Sequence, residues 1–329
     1  MAPSKPTIWH IIGDKRAGGS NRFVQQLSES YLQEQFYFVT LRLEAAQARL
    51  RQEKPALIIF HYPCAWKYLA ALFNFTTNAP LWICDHHYCR GFEQRQVRSR
   101  WRFRLLLKLA YGLADGIIAV SQGQRQWMVD AGLVKADKIR VIKPASILTE
   151  LLTLPPKVPE KPLILGSYGR FAPQKGFDQL LQVMAPLDPK QFQLRLGGYG
   201  QDEEKIQTLA ANLPQVQLVG SIPQVPDFLA QCDLVIIPSR WEPFGLVCLE
   251  AKAAGKPVLV TDVDGLPEQV LAGMGAILPS DQPEQWGAIL THLAEQDLVA
   301  WGQRGRATVE RAWENCLEQW QSFLSSVAL

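Results

Sequence analysis

The chain has 329 residues, of which 47% are hydrophobic and 20% are charged, and its formal net charge is +3. This length exceeds what one hydrophobic core usually supports and predicts two domains. The composition excludes a disordered chain, and the lack of an apolar run of about 18 residues excludes an integral membrane protein. The net charge is too small to define a nucleic-acid-binding protein.

The N-terminal stretch "MAPSKPTIWHIIGDK" contains only a short apolar run that ends in charged residues. This pattern is typical of a first strand and not of a secretory leader. The six cysteines include no C-x-x-C pair, which indicates reduced thiols in the core. Both features predict a cytoplasmic protein.

The first half of the chain alternates short, uniformly apolar stretches with segments of helical periodicity. Strands that are apolar on both sides indicate a parallel sheet covered by helices on both faces. The predicted strands are residues 7–12, 36–41, 56–60, 81–84, 116–120 and 138–142.

A second series of the same kind follows and predicts a second α/β domain. Its strands are residues 163–169, 192–198, 216–220, 233–239 and 257–262. Four prolines separate the two series, and they can neither continue a helix nor pair in a central strand. The predicted division is therefore a first domain at 1–152, a linker at 153–162, a second domain at 163–309 and a final helix at 310–329 that crosses back to the first domain. The ligand is expected in a cleft that faces the carboxyl ends of both sets of strands.

The stretch "GDKRAGGSNRFVQQL" follows the first strand and opens the first helix. Gly18 and Gly19 would let the backbone approach a phosphate or a sugar closely, although an ordinary turn also uses glycines. Neither G-x-G-x-x-G nor G-x-x-x-x-G-K-[ST] occurs in the chain, which argues against hydride transfer and against P-loop chemistry.

In "GSYGRFAPQKGFDQLL", a strand ends in a glycine-rich turn that carries Arg170 and Lys175. Two cations before a helix could hold a diphosphate and neutralise the charge that develops on it when it leaves. Ordinary surface ion pairing is the alternative interpretation of these two side chains.

The stretch "EPFGLVCLEA" lies between a strand and a helix. The amides of Phe244, Gly245 and Leu246 are expected at the helix start, where amides lack intrahelical partners and the helix dipole favours an anion. Glu250 offers two acceptor oxygens for the hydroxyls of a ribose, and Glu242 is expected to face the cleft. A solvated helix face with two ordinary glutamates is the alternative.

Taken together, these motifs resemble those of the nucleotide-sugar-dependent, retaining glycosyltransferases of family 4 (group 1). The resemblance is strongest between residues 166 and 268, where "GRFAPQKGFDQLL", "LGGYGQDEEKI", "VGSIP" and "CDLVIIPSRWEPFGLVCLEAKAAGKPVLVTDVDGLPE" follow one another. It implies an α/β GT-B fold, in which two Rossmann-like, doubly wound domains face each other across a cleft.

The resemblance also implies roles for individual residues. Glu250 would bind the donor ribose, and Glu242 would contact the transferred sugar. Arg170 and Lys175 would hold the diphosphate, and the backbone near Ile222 would meet the base. Gly18 and Gly19 match the glycine loop of the family's first domain.

The stretch "PLWICDHHYC" resembles the strand that ends in a histidine at the donor sugar. Alignment on its proline places His86 there, with Asp85 and His87 as alternatives. The same stretch could be interpreted as a metal cluster, but its spacing matches no standard zinc signature. The resemblance implies an enzyme without a metal or other cofactor, and front-face transfer in which the leaving phosphate helps to deprotonate the acceptor.

The segment 90–113 carries seven Lys or Arg residues against one Glu, interleaved with aromatic and leucine side chains. Helical spacing places Arg98 and Arg102 on one face, and Arg100, Arg104 and Lys108 on another. Such a basic amphipathic helix suits an anionic membrane surface or a lipid-linked acceptor. Arg95, Arg98 and Arg102 are the candidate contacts. A solvated helix is the alternative, and no motif supports binding to nucleic acid.

The resemblance implies a retaining, hexosyltransferase-type enzyme that moves a sugar from a UDP-sugar donor to a glycan or lipid-linked acceptor. Bacterial lipopolysaccharide or surface polysaccharide synthesis is the expected pathway, with a cytoplasmic protein peripheral on the inner face of the membrane. Two alternatives share the scaffold. A nucleotide-sugar 2-epimerase would need no acceptor, and a non-catalytic nucleotide-sugar-binding subunit would not need the complete set of charged residues.

Overall fold

The computed structural model describes residues 5–13 and 19–328. It separates into two compact units. The first contains residues 1–147 and 313–329, and the second contains residues 148–312. Each unit has its own parallel sheet and its own apolar core.

The first unit is built on a six-stranded parallel sheet in the order β2-β1-β3-β4-β5-β6. Its strands are β1 (Thr7–Ile11), β2 (Tyr37–Leu41), β3 (Leu57–Phe60), β4 (Leu81–Asp85), β5 (Gly116–Ala119) and β6 (Ile139–Val141). Residues of the central strands β3, β4 and β5 are buried throughout, as expected for a sheet covered on both faces.

Helices alternate with these strands and supply the parallel crossovers. They are α1 (Gly19–Ser28), α2 (Leu43–Arg49), α3 (Leu69–Thr76), α4 (Arg90–Gln96), α5 (Arg100–Leu113) and α6 (Gln122–Asp130). Buried aromatic rings of the final helix α14 (Ala312–Val327) also pack in this unit. One example is the edge-on contact between Trp82 and Phe323, whose ring centroids lie 4.7 Å apart.

The segment predicted as one basic helix is two helices. Between α4 and α5, Val97 and Ser99 adopt extended backbone angles, and Arg98 lies in the break. The prediction that Arg98 and Arg102 share one helix face is therefore wrong. An ion pair joins the two helices, in which the partly exposed Arg104 donates to both carboxylate oxygens of the buried Glu93 over 2.5 and 3.1 Å.

The second unit has a six-stranded parallel sheet in the order β12-β11-β10-β7-β8-β9. Its strands are β7 (Leu163–Tyr168), β8 (Phe192–Gly197), β9 (Val216–Gly220), β10 (Leu234–Ile237), β11 (Val258–Thr261) and β12 (Gly275–Leu278). Counted within the unit, this is the doubly wound order 3-2-1-4-5-6. The edge strand β12 was not predicted from the sequence. It is only four residues long, and three of these residues are not buried.

The helices of the second unit complete the architecture. They are α7 (Thr149–Leu152), α8 (Phe177–Met184), α9 (Glu203–Ala210), α10 (Val225–Ala230), α11 (Leu246–Ala253), α12 (Trp286–Leu293) and α13 (Leu298–Ala307). The proline-rich stretch predicted as a linker has no regular structure and is held to this unit. Lys157 forms an ion pair with Asp233, and Arg306 donates to the carbonyl of Leu154 over 2.8 Å.

All six cysteines are buried and unbridged. Within residues 5–13 and 19–328, no helix combines the length and the apolar character needed to cross a bilayer.

Candidate active site

In the second unit, the two motifs with charged side chains follow neighbouring strands. β7 pairs in parallel with β10, with Leu165 opposite Leu234. From β7 the chain adds strands on one side of the sheet up to β9, and from β10 it adds strands on the other side up to β12. In open α/β sheets, ligands bind at the carboxyl ends of the strands at such a reversal. The loops that carry Arg170 and Lys175 and that carry Glu242 start at this place.

Lys175 and Glu242 form an ion pair between the two loops. Both side chains are largely buried, with 18% and 11% of their surface exposed. Ser239 also donates a hydrogen bond to the Glu242 carboxylate over 3.2 Å, and the amide of Glu242 donates to Asp264 over 3.0 Å. Because a desolvated charge needs a partner, each of these two side chains fixes the position of the other.

The backbone around Lys175 is fixed by a left-handed glycine. A 3₁₀ turn at Pro173–Lys175 ends at Gly176, which has φ +66°. A Cβ at this position would collide with the carbonyl oxygen of Pro238, just after β10. The amide of Arg240 also donates to the carbonyl of Gln174 over 2.7 Å. The loops after β7 and β10 therefore pack backbone against backbone.

A network of charged side chains joins these loops to α8. Arg240 donates two hydrogen bonds to Asp178 over 2.7 and 3.0 Å, and Lys205 donates a third over 2.7 Å. Burial alone would raise the pKa of Asp178, but the bonds from Arg240 and Lys205 outweigh it and lower that pKa to about 2. Asp178 is therefore ionised at neutral pH and holds the Arg240 side chain in place.

Glu250 accepts a short hydrogen bond from a tyrosine of the neighbouring strand. The hydroxyl of Tyr168 donates to Glu250 Oε2 over 2.6 Å. Burial, and then the negative charge of Glu250, raise the pKa of Tyr168 well above its usual value, so the phenol keeps its proton. Sequence analysis missed Tyr168 because a tyrosine at the end of an apolar strand is typical of core packing.

Helix α11 begins immediately after a glycine. Gly245 is the N-cap of this eight-residue helix, has φ +96° and is followed by Leu246 as the first helical residue. Phe244 lies one residue before the cap, and its carbonyl accepts a hydrogen bond from Gln269 over 2.5 Å. The amides of Leu246 and Val247 are thus the first-turn donors, and their dipole favours an anion at this end.

Two further predicted contacts lie on the loops of the same sheet. Arg170 follows β7 and is exposed, and among the described residues no ion pair to its guanidinium is found. Ile222 lies just after β9 and packs its side chain over Gly197, where a Cβ would collide with it. Its predicted contact with the nucleotide base stays a prediction.

In the first unit, three histidines lie side by side at the ends of neighbouring strands. His10 belongs to β1, His61 follows β3 and His86 follows β4. Nδ1 of His10 lies 2.9 Å from Nε2 of His61, and Nδ1 of His61 lies 2.9 Å from Nε2 of His86. Burial lowers the pKa of His10 to about 3. Burial, and then the neighbouring His87 and His10, lower that of His86 to about 3.

The alternatives to His86 have different environments. Asp85 is buried, accepts the backbone amides of His87 and Tyr88 over 2.8 and 3.0 Å, and accepts the hydroxyl of Tyr111 over 2.5 Å. These contacts give Asp85 a structural role in the turn. His87 is exposed. Gly19 begins α1, whereas the predicted contact Gly18 lies outside the described residues.

The first unit also contains a group that offers metal ligands. His61, Cys84 and His86 each contribute one ligand atom, all within 4.8 Å of one another. Sequence analysis did not connect His61 with this stretch. Burial raises the pKa of the Cys84 thiol well above its usual value, which opposes the thiolate that a zinc ion requires. The predicted independence from metals stays a prediction.

Each unit matches a glycosyltransferase family model. A family model for "Glycosyl transferases group 1" matches residues 154–308, and a model for "Glycosyltransferase Family 4" matches residues 17–145. An uncharacterised glycosyltransferase of Methanocaldococcus jannaschii is 34% identical over 160 residues, which cover 45% of this chain and 44% of that protein. The chain spans about half the length of the curated relatives that it matches.

Solved structures match nearly the whole chain. Sucrose-phosphate synthase from Thermosynechococcus elongatus superposes with a TM-score of 0.82 at 22% identity and covers 98% of this chain and 99% of its own. HepE from Anabaena, solved with UDP and glucose, gives a TM-score of 0.77 at 19% identity, with 98% and 100% covered. These similarities confirm the predicted GT-B fold.

Proposed function

Because the chain belongs to the group 1 glycosyltransferases of family 4, we propose that it transfers a hexosyl group from a UDP-sugar donor to a glycan or lipid-linked acceptor, with retention of the anomeric configuration. The donor nucleotide binds at the ends of β7 and β10 in the second unit. Synthesis of bacterial lipopolysaccharide or a surface polysaccharide is the proposed setting.

The observation that carries the proposal is the pairing of Glu242 and Glu250 with side chains at the end of β7 and in the loop that follows it. Glu250 is held by Tyr168, and Glu242 by Lys175. A carboxylate offers about four acceptor sites, of which the bond from Tyr168 uses one, so Glu250 is a suitable group to bind ribose hydroxyls. The Lys175 ammonium, the exposed Arg170 and the first amides of α11 supply the positive potential that a diphosphate requires.

The choice of UDP rests on the complex that one structural neighbour forms. HepE was solved with UDP and glucose, and its fold matches almost the whole of this chain. At 19% identity this supports UDP as the first nucleotide to test.

The proposed reaction is a front-face substitution without a covalent enzyme intermediate. The bond from the anomeric carbon to the leaving phosphate oxygen breaks, and the bond to the acceptor oxygen forms on the same face. The acceptor proton passes to the leaving diphosphate, whose charge Lys175, Arg170 and the α11 amides stabilise. Double displacement needs a carboxylate nucleophile at the anomeric carbon. Glu242 suits that role poorly, because its carboxylate is already engaged by the ammonium of Lys175.

A membrane-facing role is proposed for one side of α5. Trp101, Leu105 and Leu109 form a stripe at helical spacing, with 70%, 42% and 45% of their surface exposed. Arg102 and Lys108 are exposed beside it. A helix that presents apolar side chains between cations fits an anionic lipid surface. Arg95 and Arg98 are exposed in and after α4, so they extend the same basic segment.

Sedimentation with lipid vesicles tests this role. We expect the protein to sediment with vesicles that contain phosphatidylglycerol, to be released by salt, and to remain in solution with phosphatidylcholine alone. The double substitution Trp101→Ser with Leu105→Ser should abolish sedimentation. Tyr37→Ser, which removes an exposed aromatic residue from β2, is the matched control and should have no effect. Equal sedimentation of both variants would contradict the assignment of this helix face.

Thermal unfolding with a panel of nucleotides tests the donor site. A ligand specific for the folded state stabilises it by about 2.7 kcal/mol at a hundredfold excess over its dissociation constant. We expect UDP and a UDP-sugar, but not GDP or ADP, to raise the melting temperature of the wild-type protein and of Glu204→Ala. Glu204 is an exposed residue of α9 and serves as the control. Glu250→Ala should lose the stabilisation. No response to any nucleotide at millimolar concentration would contradict the donor site.

Product analysis tests the reaction. Proton NMR of the product formed from an α-linked UDP-sugar should show an α-linked sugar. A β-linked product would contradict retention, and a changed sugar nucleotide without an acceptor would favour the epimerase alternative.

A further inference from the structure

His10, His61 and His86 form a continuous hydrogen-bonded chain, here called the histidine chain. Each of its two links joins Nδ1 of one ring to Nε2 of the next over 2.9 Å. Adjacent rings are stacked, with centroids 5.1 and 5.2 Å apart and interplanar angles of 28° and 14°. His10 and His61 are buried, so water does not compete for the link between them.

The chain allows only two arrangements of protons when its rings are neutral. A neutral imidazole carries one N–H and one acceptor nitrogen, and each link needs one donor and one acceptor. Either all three rings carry the proton on Nδ1, or all three carry it on Nε2. A change of tautomer at one ring therefore requires the same change at the others.

The buried end of the chain selects between these arrangements. Within residues 5–13 and 19–328, Nε2 of His10 is buried without a hydrogen-bond partner. A proton there would be a buried N–H donor without an acceptor, which native structures rarely contain. Trp320 packs beside His10 with ring centroids 6.2 Å apart, and its indole nitrogen is likewise buried without an acceptor in the described part of the chain. Since an indole nitrogen can only donate, this neighbour offers no acceptor for a proton on Nε2 of His10.

We propose that His10 and His61 are positioning residues that fix His86 as the Nδ1–H tautomer, so that His86 presents a hydrogen-bond donor to a sugar oxygen. The proton on Nδ1 of His10 is donated to His61, and the proton on Nδ1 of His61 is donated to His86. His86 accepts at Nε2 and therefore carries its own proton on Nδ1. Among the described residues, no hydrogen bond to Nδ1 of His86 is found.

The contact with a sugar rests on the proposed function, whereas the tautomers do not. A ring fixed as a neutral donor can bind an oxygen with lone pairs and contributes no positive charge to it. This assigns His86 a preference for a hydroxyl or ring oxygen, and leaves the charged diphosphate to other residues.

NMR of protein labelled with ¹⁵N-histidine tests the tautomers directly. Long-range ¹H–¹⁵N correlations distinguish Nδ1–H from Nε2–H rings, and single substitutions assign the five histidines. We expect the Nδ1–H pattern for His10, His61 and His86, while the exposed His87 and His292 serve as references within the same spectrum. An Nε2–H pattern at His86, or averaging between the two tautomers, would overturn the proposal. A shift of the His61 and His86 signals on adding Zn²⁺ alone would also overturn it in favour of a metal site.

Two substitutions of His61 separate positioning from simple packing. His61→Phe keeps a stacked ring but removes both links, so His86 should lose its fixed tautomer. His61→Gln restores one acceptor and one donor, and should restore the Nδ1–H pattern at His86. If His61→Phe retains the wild-type Nδ1–H pattern at His86, the proposal is contradicted. If His61→Phe does not fold, the wild-type spectrum alone decides.

Binding measurements on the same variants test the consequence for the sugar. We expect His61→Phe to bind the UDP-sugar about five- to tenfold more weakly than wild type, as for one lost hydrogen bond, with UDP affinity unchanged. His61→Gln should recover the affinity, and His292→Ala, which removes an exposed histidine of α12 in the second unit, should not alter it. Equal loss of UDP and UDP-sugar affinity in His61→Phe would contradict a contact with the sugar. A wild-type protein that binds no nucleotide would contradict the proposed function and leave the NMR result to decide on the histidine chain.

Discussion

The two sheets carry polar side chains at the carboxyl ends of their strands, but of different chemical kinds. In the second unit these side chains are charged and paired, as in Lys175 with Glu242 and Arg240 with Asp178. In the first unit, the histidine chain consists of two buried rings and the partly buried ring of His86, and desolvation lowers the pKa values of all three. The second unit thus offers charge at this edge, and the histidine chain offers neutral donors and acceptors.

This difference indicates which part of a nucleotide sugar each set can bind. A diphosphate needs positive charge and amide donors, because its own charge must be balanced when it is desolvated. A sugar hydroxyl needs only a donor or an acceptor of fixed direction. The charged set of the second unit therefore suits a diphosphate, and the neutral donor that we propose at His86 suits a sugar oxygen.

Removal of a cation from the charged set should have the largest effect. Lys175→Met deletes the ammonium that the proposal places at the leaving diphosphate and leaves Glu242 without its ion-pair partner. We expect kcat to fall by a factor on the order of a hundred to a thousand, as for other losses of transition-state stabilisation. Steady-state kinetics check this, with Lys190→Met, an exposed lysine, as the control. A loss of less than tenfold would show that the diphosphate is stabilised elsewhere.

The loop that carries Lys175 should be sensitive to a single methyl group. Gly176→Ala places a Cβ against the Pro238 carbonyl at φ +66°, and should lower the free energy of unfolding by about 2 to 3 kcal/mol. Gly220→Ala is a matched control with φ +68° and open space around the added atom, and should cost about 1 kcal/mol. Chemical denaturation measures both. Equal losses would mean that backbone strain, and not the packing of the two loops, dominates.

A smaller change sharpens the role of Glu250. Tyr168→Phe removes the hydroxyl that donates to Glu250 and keeps the buried ring. We expect a loss of about 1 kcal/mol in UDP affinity, or roughly fivefold in Kd, because the carboxylate becomes less well oriented. Isothermal titration calorimetry provides the value. Unchanged affinity would indicate that Tyr168 supports only the core.

The contribution of Asp178 to the stability of the fold should depend on pH. The pKa of Asp178 is lowered from its ordinary value of 3.8 to about 2, so its charge stabilises the fold above pH 4. That contribution is lost as the pH falls from about 4 to about 2. The stability difference between wild type and Asp178→Asn should therefore be largest near neutral pH and shrink across this interval. A difference that does not change with pH would exclude the ionised network.

Most of the fold was predictable because it depends on local patterns. The eleven predicted strands correspond to β1 to β11, and the central strands among them are buried on both faces as expected for parallel sheets. The edge strand β12 lacks this signal. The break between α4 and α5 was missed because the pattern of basic residues continues across Val97 and Ser99. The contact between Arg104 and Glu93 joins side chains eleven residues apart, which the local pattern does not reveal.

The candidate site was predictable where its residues lie close in sequence. Glu242, Glu250, Arg170 and Lys175 stand in recognisable motifs next to predicted strands. His10 and His61 are 51 residues apart, and only the pairing of β1 with β3 brings them together. A polar histidine within or directly after an apolar strand was the available signal, and its meaning depends on the strand order.

A structure of the protein with bound UDP tests the central claim most directly. The account predicts the diphosphate at the ends of β7 and β10, within hydrogen-bonding distance of Lys175, Arg170 and the first amides of α11. It also predicts the ribose hydroxyls on the Glu250 carboxylate. UDP bound away from these strand ends, without a contact between its ribose and Glu250, would contradict it.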